Sequence, residues 1–153
     1  MKNILLKLIS KLNKDTILLP NPKTGLKEPY LTRHYLIGKK GIFGYNLFIH
    51  QFHSGDMEEN ELHNHPFKFS LSFILSGGYF EELKHGTKIN VKERKPFTFN
   101  LITPTTYHRV NLRQDDCWTI FLVAPRNKNN DWYFWNSQTN EYKHWTKSEN
   151  AIA

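Results

Sequence analysis

The sequence predicts an all-β domain of the barrel or sandwich class, and three observations predict it. Short runs rich in aromatic and β-branched residues recur along most of the chain, Gly, Pro and Asn clusters fall between them, and helical periodicity is confined to the first residues. Many short strands at regular spacing with turn signals between them mark barrels and sandwiches.

The elements follow in order. Ile4, Leu5, Leu8, Ile9 and Leu12 recur at helical spacing opposite Lys7, Lys11 and Lys14, which predicts an amphipathic helix over residues 1–14. Lys7 interrupts the apolar stretch and no small-residue cleavage site follows, so a secretory signal is a poor match. Asn21 to Gly25 is a turn cluster between two apolar runs, as in a hairpin. Strands are then expected over Tyr30 to Ile37, Phe43 to His53, Leu62 to Phe67, Phe69 to Ser76, Tyr79 to Leu83 and Thr87 to Arg94. Phe97 to Thr103, Tyr107 to Leu112 and Trp118 to Val123 supply three more, and Trp132 to Trp135 with Tyr142 to Trp145 can close a hairpin around Asn136 to Asn140. The organisation is one domain: residues 1–20 as a basic helix or arm, residues 21–148 as the barrel with its aromatic C-terminal hairpin.

Composition narrows the function. With 153 residues the chain holds one domain with a real core. Its single cysteine, Cys117, excludes an intramolecular disulfide framework and fits a reducing, cytoplasmic setting. No apolar run approaches the ~20 residues of a membrane-spanning helix. The net charge of +7 lies entirely in residues 1–40, and the rest of the chain is balanced. A basic groove across the body is therefore not indicated, whereas residues 1–14 form a candidate contact for nucleic acid or a membrane surface beside the simpler reading of a helix packed on the barrel. Nucleophile elbows, phosphate loops and zinc-finger spacings are absent.

The chemistry rests on histidines. In His63-Asn64-His65, residues two apart on a strand face one way, so two imidazoles form half a chelate. His108, reached through the turn-like Pro104 to Tyr107, is the candidate third ligand. His50 and His53 fall on opposite faces of their strand, and either can line a cavity or support a ligand. Arg109 is expected to point away from the cavity and to form an ion pair outside it. Cys117 and Thr119 share a face, with Cys117 expected as a buried inert thiol. His34, His85 and His144 sit in polar contexts and are expected at the surface. The four tryptophans all lie beyond residue 117, and a packed lid or a contact between two copies accounts for them.

The run from His63-Asn-His65 through Ser70 to Gly77, followed by Pro104-Thr-Thr-Tyr-His108 and Asn111, resembles the two motifs of the cupin superfamily. Four residues separate His65 from Ser70 and six more lead to Gly77, matching the first motif except that Ser70 stands where that motif has Glu. Pro104 stands one residue closer to His108 than in the second motif. A narrower likeness to cupin-like phage and bacterial proteins of unknown role covers Phe48 to His53, His63 to Phe67 and Gly77 to Glu81. The resemblance implies a double-stranded β-helix (jelly-roll) barrel with His63, His65 and His108 as metal ligands. It further implies a divalent ion, Fe(II) first, with Zn, Mn or Ni as alternatives. The missing carboxylate leaves open coordination positions at a three-histidine site, or Glu81 turns inward to replace it. The expected function is a metal-dependent, oxygenase-like enzyme acting on a small polar molecule. Its rivals are a non-catalytic ligand-binding cupin, a metal-independent sugar-nucleotide isomerase of similar fold and an interaction protein working through its basic helix.

Overall fold

A computed structural model describes residues 7, 9–21, 23–56 and 60–145. Twelve strands follow one another: β1 (Lys14–Pro20), β2 (Lys27–Tyr35), β3 (Asn46–Phe52), β4 (Glu61–His63), β5 (Ser70–Ser76), β6 (Tyr79–His85), β7 (Lys88–Arg94), β8 (Phe99–Ile102), β9 (His108–Leu112), β10 (Cys117–Val123), β11 (Tyr133–Asn136) and β12 (Tyr142–His144). They form two antiparallel six-stranded sheets, ordered β1-β2-β3-β10-β5-β8 and β12-β11-β4-β9-β6-β7. From β3 to β6 and from β7 to β11 each strand thus crosses to the other sheet, and the inward faces of both meet in a jelly-roll barrel. No helix among the described residues is long and apolar enough to cross a membrane.

Alternation decides which side chains enter the barrel. On the first sheet Leu31 and Arg33, Phe48 and His50, Ile74 and Ser72, and Cys117 and Thr119 fall on the inner face, judged from strand register. Ile74, Tyr79, Val110 and Cys117 make a buried cluster with Phe52 and Leu112 against it. Outside the same sheet, Ile9, Ile49 and Trp118 make a second cluster with Leu12 and Leu75.

Gly77 and Gly78 make the β5–β6 turn at φ 76° and 92°, the left-handed region that favours glycine. A Cβ at Gly77 would also collide with the Asp116 carbonyl. Gly77→Ala is expected to destabilise the fold by more than about 1 kcal/mol, read as a shifted denaturation midpoint at constant slope.

The structure departs from several expectations. Of the N-terminal helix, residues 1–6 and 8 lie outside the described residues; Lys7 and Ile9 are helical, and the chain is extended from Lys14. A helix over residues 1–14 is therefore not supported. Residues 14–20, expected in the arm, pair with β2 through the hairpin at Asn21–Gly25, where Gly25 sits at φ 69°. The third strand begins only at Asn46, because Ile42 bridges Tyr45 across a tight turn that leaves Phe43 95% exposed. Phe97 likewise stands outside β8, at φ 65°. His34 is buried rather than superficial: its ring stacks on Trp118 at 6.1 Å under the N-terminal segment.

Candidate metal centre

His63 ends β4 and lies opposite His108, the first residue of β9. His65 lies just past the end of β4, since Pro66 cannot donate to a ladder and the strand stops before it. It is aimed by its neighbour instead. Asn64 is buried on the other side, where its amide donates to the Pro104 and Asp131 carbonyls at 3.1 Å and its oxygen accepts from Tyr133 N at 2.7 Å. Asn130 adds bonds to the carbonyls of His65 and Pro104. Asn64→Ala is expected to cost about 1–3 kcal/mol through unpaired backbone groups and to loosen His65, readable as a weakened metal affinity.

The three imidazoles converge. Candidate ligand nitrogens of His63, His65 and His108 all lie within 4.8 Å of one another. The His65 and His108 Nε2 atoms are 2.9 Å apart. Two ligand bonds of about 2.1 Å to one ion span up to about 4.2 Å, so small ring movements fit a single divalent cation. Burial, together with the neighbouring His108, pushes His63 down to about 4 against the opposing pull of Asp56. Burial and the other two imidazoles hold His65 well below the usual histidine range. Both rings are therefore neutral near pH 7, the form that ligates.

Glu81 does not join the three nitrogens. Fully buried on β6, it accepts the His108 Nδ1 proton at 2.7 Å and an Asn100 amide proton at 2.9 Å. Arg94 meets its other oxygen at 2.7 Å through Nε and 2.6 Å through NH2. Burial pushes this carboxyl up, but the bonds from His108 and Asn100 and the Arg94 charge outweigh it and hold the group at about 2. An anionic Glu81 can only accept, so His108 Nδ1 carries a proton and Nε2 is the nitrogen turned towards His65. A cation held by both rings would replace the direct contact between the two Nε2 atoms.

Other candidates take different places. Ser70, expected at the missing carboxylate position, is buried with no hydrogen-bond partner for its hydroxyl among the described residues. His50 is not among the three converging ligands; it stacks on Phe121 at 4.7 Å and Phe48 at 5.3 Å. His53 pairs with Thr32 at 2.9 Å on the other face. Arg109 reaches Glu82 at 2.6 Å outside the barrel, as strand alternation predicts. Cys117 is closed in the apolar core and its thiol is raised to about 11 by burial. The tryptophans divide: Trp135 is buried beside its cross-strand partner Leu62, whereas Trp132 stacks on Trp145 at 4.8 Å and lies 6.3 Å from His65. A cleft of about 430 Å³ lies along β11 and β12, lined by Glu61, Phe134 and Lys143 among others. None of the three histidines lines it, although the Phe134 ring is 6.1 Å from His63.

Sequence reasoning missed the roles of Asn64, Asn100 and Asp56. Asp56 accepts from the Tyr30 hydroxyl at 2.6 Å and from Val110 N at 2.7 Å, tying the loop after β3 to β9. An Asp in a polar loop carries no local sign of partners 26 and 54 residues away.

No protein-family model matches the chain, and no curated protein matches it by sequence. Solved structures do. Ectoine synthase from P. lautus superposes with a TM-score of 0.50 at 13% identity, over 63% of this chain and 64% of that one. Hydroxypropylphosphonic acid epoxidase from S. wedmorenis gives 0.51 at 10% identity, over 71% and 55%. A complex of Fe(II) HppE with substrate gives 0.53 at 9% identity, over 74% and 57%. The chain spans between about half and two thirds of these proteins' lengths. Identities this low speak to fold alone, and the two crossed antiparallel sheets agree with them. The chain has the cupin fold.

Proposed function

We propose that the protein is a metal-dependent cupin enzyme, oxygenase-like, which acts on a small polar molecule at a divalent ion held by His63, His65 and His108. The observation that carries this reading is the convergence of three imidazoles, with His108 oriented by a buried, ionised Glu81. Such an ion, with Fe(II) the first candidate and Mn, Ni and Zn the alternatives, supplies Lewis acidity and open positions for oxygen or substrate.

The chain's own residues do the rest. Glu81, Asn100 and Arg94 fix the His108 tautomer. Asn64 and Asn130 fix the His65 backbone. Trp132 and Phe134 cover the flanks of His65 and His63, limiting water there. Fe(II) HppE, with which the chain shares its fold, is seen in complex with a substrate, and that precedent supports the reading.

The test starts with protein purified without chelator or metal-affinity tag. Elemental analysis is expected to find about one divalent ion per chain, and anaerobic reconstitution with Fe(II) followed by air is expected to give oxygen uptake with a member of a panel of small acids and thiols. Metal-loaded protein inert towards the whole panel would favour a non-catalytic binding cupin. Ser70→Glu separates these two readings. A carboxylate in that buried position is expected to tighten metal binding and block an open position, so an enzyme loses turnover while a structural site only gains melting temperature.

A further inference from the structure

Inside the barrel, on the sheet facing the three histidines, a row of polar side chains each carries a buried atom with no hydrogen-bond partner among the described residues. Arg33, His50 and Thr119 are cross-strand neighbours on β2, β3 and β10, and all three fall on the inner face. His50 is 4% exposed and Thr119 fully buried, and neither the His50 Nε2 nor the Thr119 Oγ1 has a hydrogen-bond partner among the described residues. The Arg33 Nε is buried and equally unpartnered. Its guanidinium carbon lies 5.9 Å from the centre of the Phe48 ring, the ring on which His50 stacks. Among the described residues no carboxylate comes within ion-pair distance of it; the nearby Asp15 is taken by Lys39 and Tyr35. Burial lowers the Arg33 pKa, and its positive charge is felt at His50 and at His65.

A half-buried guanidinium whose Nε is shut away from water without an acceptor is costly, and buried polar groups in native proteins are normally paired. Three such groups in one row, each with a donor or acceptor facing the same interior, fit a ligand better than a packing fault. We infer that Arg33, with His50 and Thr119 beside it, forms a subsite for the carboxylate of an anionic substrate whose other end lies at the three-histidine centre. The subsite rests on the proposed function for its second anchor, while its own chemistry is independent of the ion. Arg33 supplies the charged fork, Thr119 a hydroxyl donor and His50 a neutral ring that either donates or accepts. The substrate class is then a small ω-functionalised carboxylic acid: one end an anion, the other a metal-binding hydroxyl or thiol.

The experiment uses the full chain in chelator-stripped and Zn(II)-loaded forms. The probes are ω-hydroxy carboxylic acids of two to five carbons, each matched with its amide, and binding is read by calorimetry. Wild-type protein is expected to prefer one acid over its amide by on the order of tenfold or more. Arg33→Met is expected to abolish that preference and Arg33→Lys to keep part of it. Neither substitution should change Zn(II) affinity, and Arg33→Met should keep or raise the melting temperature, because the uncompensated charge is gone. An acid preference that depends on Arg33 in stripped protein, together with no Zn(II) binding, upholds the subsite and refutes the metal reading. Zn(II) binding with equal affinity for acid and amide, or a preference untouched in Arg33→Met, overturns the subsite and leaves the metal reading standing.

Discussion

Glu81→Gln is expected to weaken divalent-metal binding by on the order of ten- to a hundredfold, although Glu81 is not itself among the converging nitrogens. The buried carboxylate is the acceptor that keeps a proton on His108 Nδ1 and so keeps Nε2 available. Glutamine offers one carbonyl and one amide where the native group offers two charged oxygens. If the carbonyl faces His108, the amide faces Arg94 donor to donor; reversed, it meets His108 Nδ1–H in the same way. Arg94 loses the carboxylate it meets at 2.6 Å with only 12% of its side chain exposed. Breaking a buried ion pair from one side costs about 3–5 kcal/mol, so the melting temperature falls as well. Calorimetric titration with Zn(II) separates the effects, because His108→Ala should lose more affinity while leaving the Glu81–Arg94 pair intact. Unchanged metal affinity in folded Glu81→Gln would mean that the carboxylate serves only the fold.

Acid is expected to undo the metal-free protein in two stages. His63 is held at about 4 in the folded chain against an ordinary 6.5, so between these values the unfolded chain binds a proton that the folded chain does not. Stability is therefore full above pH 6.5 and falls as pH drops towards 4. That group alone contributes about 3 kcal/mol, and His50 and His65 act in the same direction. Glu81 has the opposite chemistry and adds a lower window. Its folded value of about 2 lies below an ordinary 4.5, so its contribution is present above pH 4.5 and drains away towards 2. A divalent ion competes with protons for the same imidazoles and should shift the upper stage to lower pH. Chemical denaturation at half-unit steps from pH 8 to pH 3, with and without Zn(II), measures this. A flat profile between pH 6.5 and 5 would contradict the burial of the histidines.

Much of this was legible in the sequence because it is local. Alternation, turn residues and the His-Asn-His spacing each need only a few neighbours, and they located the hairpins, the barrel and the three imidazoles. What escaped was set by partners far along the chain. The residues of β1 carry an apolar run that also suits an arm, and only pairing with β2 makes them a strand. His34 looks polar in sequence, but the Ile9 segment and Trp118 enclose it. His65 was expected on a strand and instead owes its direction to Asn64, whose bonds reach residues 104, 131 and 133. Glu81 was considered as a replacement ligand, and its inward direction follows from alternation in β6. That it meets Nδ1 of His108 depends on β6 pairing with β9, where Leu83 rather than Glu81 is the direct partner of His108.

X-ray absorption at the zinc edge tests most directly whether one ion is bound by the three side chains. Protein stripped with chelator and loaded with one equivalent of Zn(II) is expected to show imidazole scattering from three nitrogens at about 2.0–2.1 Å. His63→Ala, His65→Ala and His108→Ala should each remove one of them and lower the affinity by orders of magnitude. Wild-type protein that binds no ion, or a spectrum without histidine scattering that all three substitutions leave unchanged, would contradict the three-histidine site.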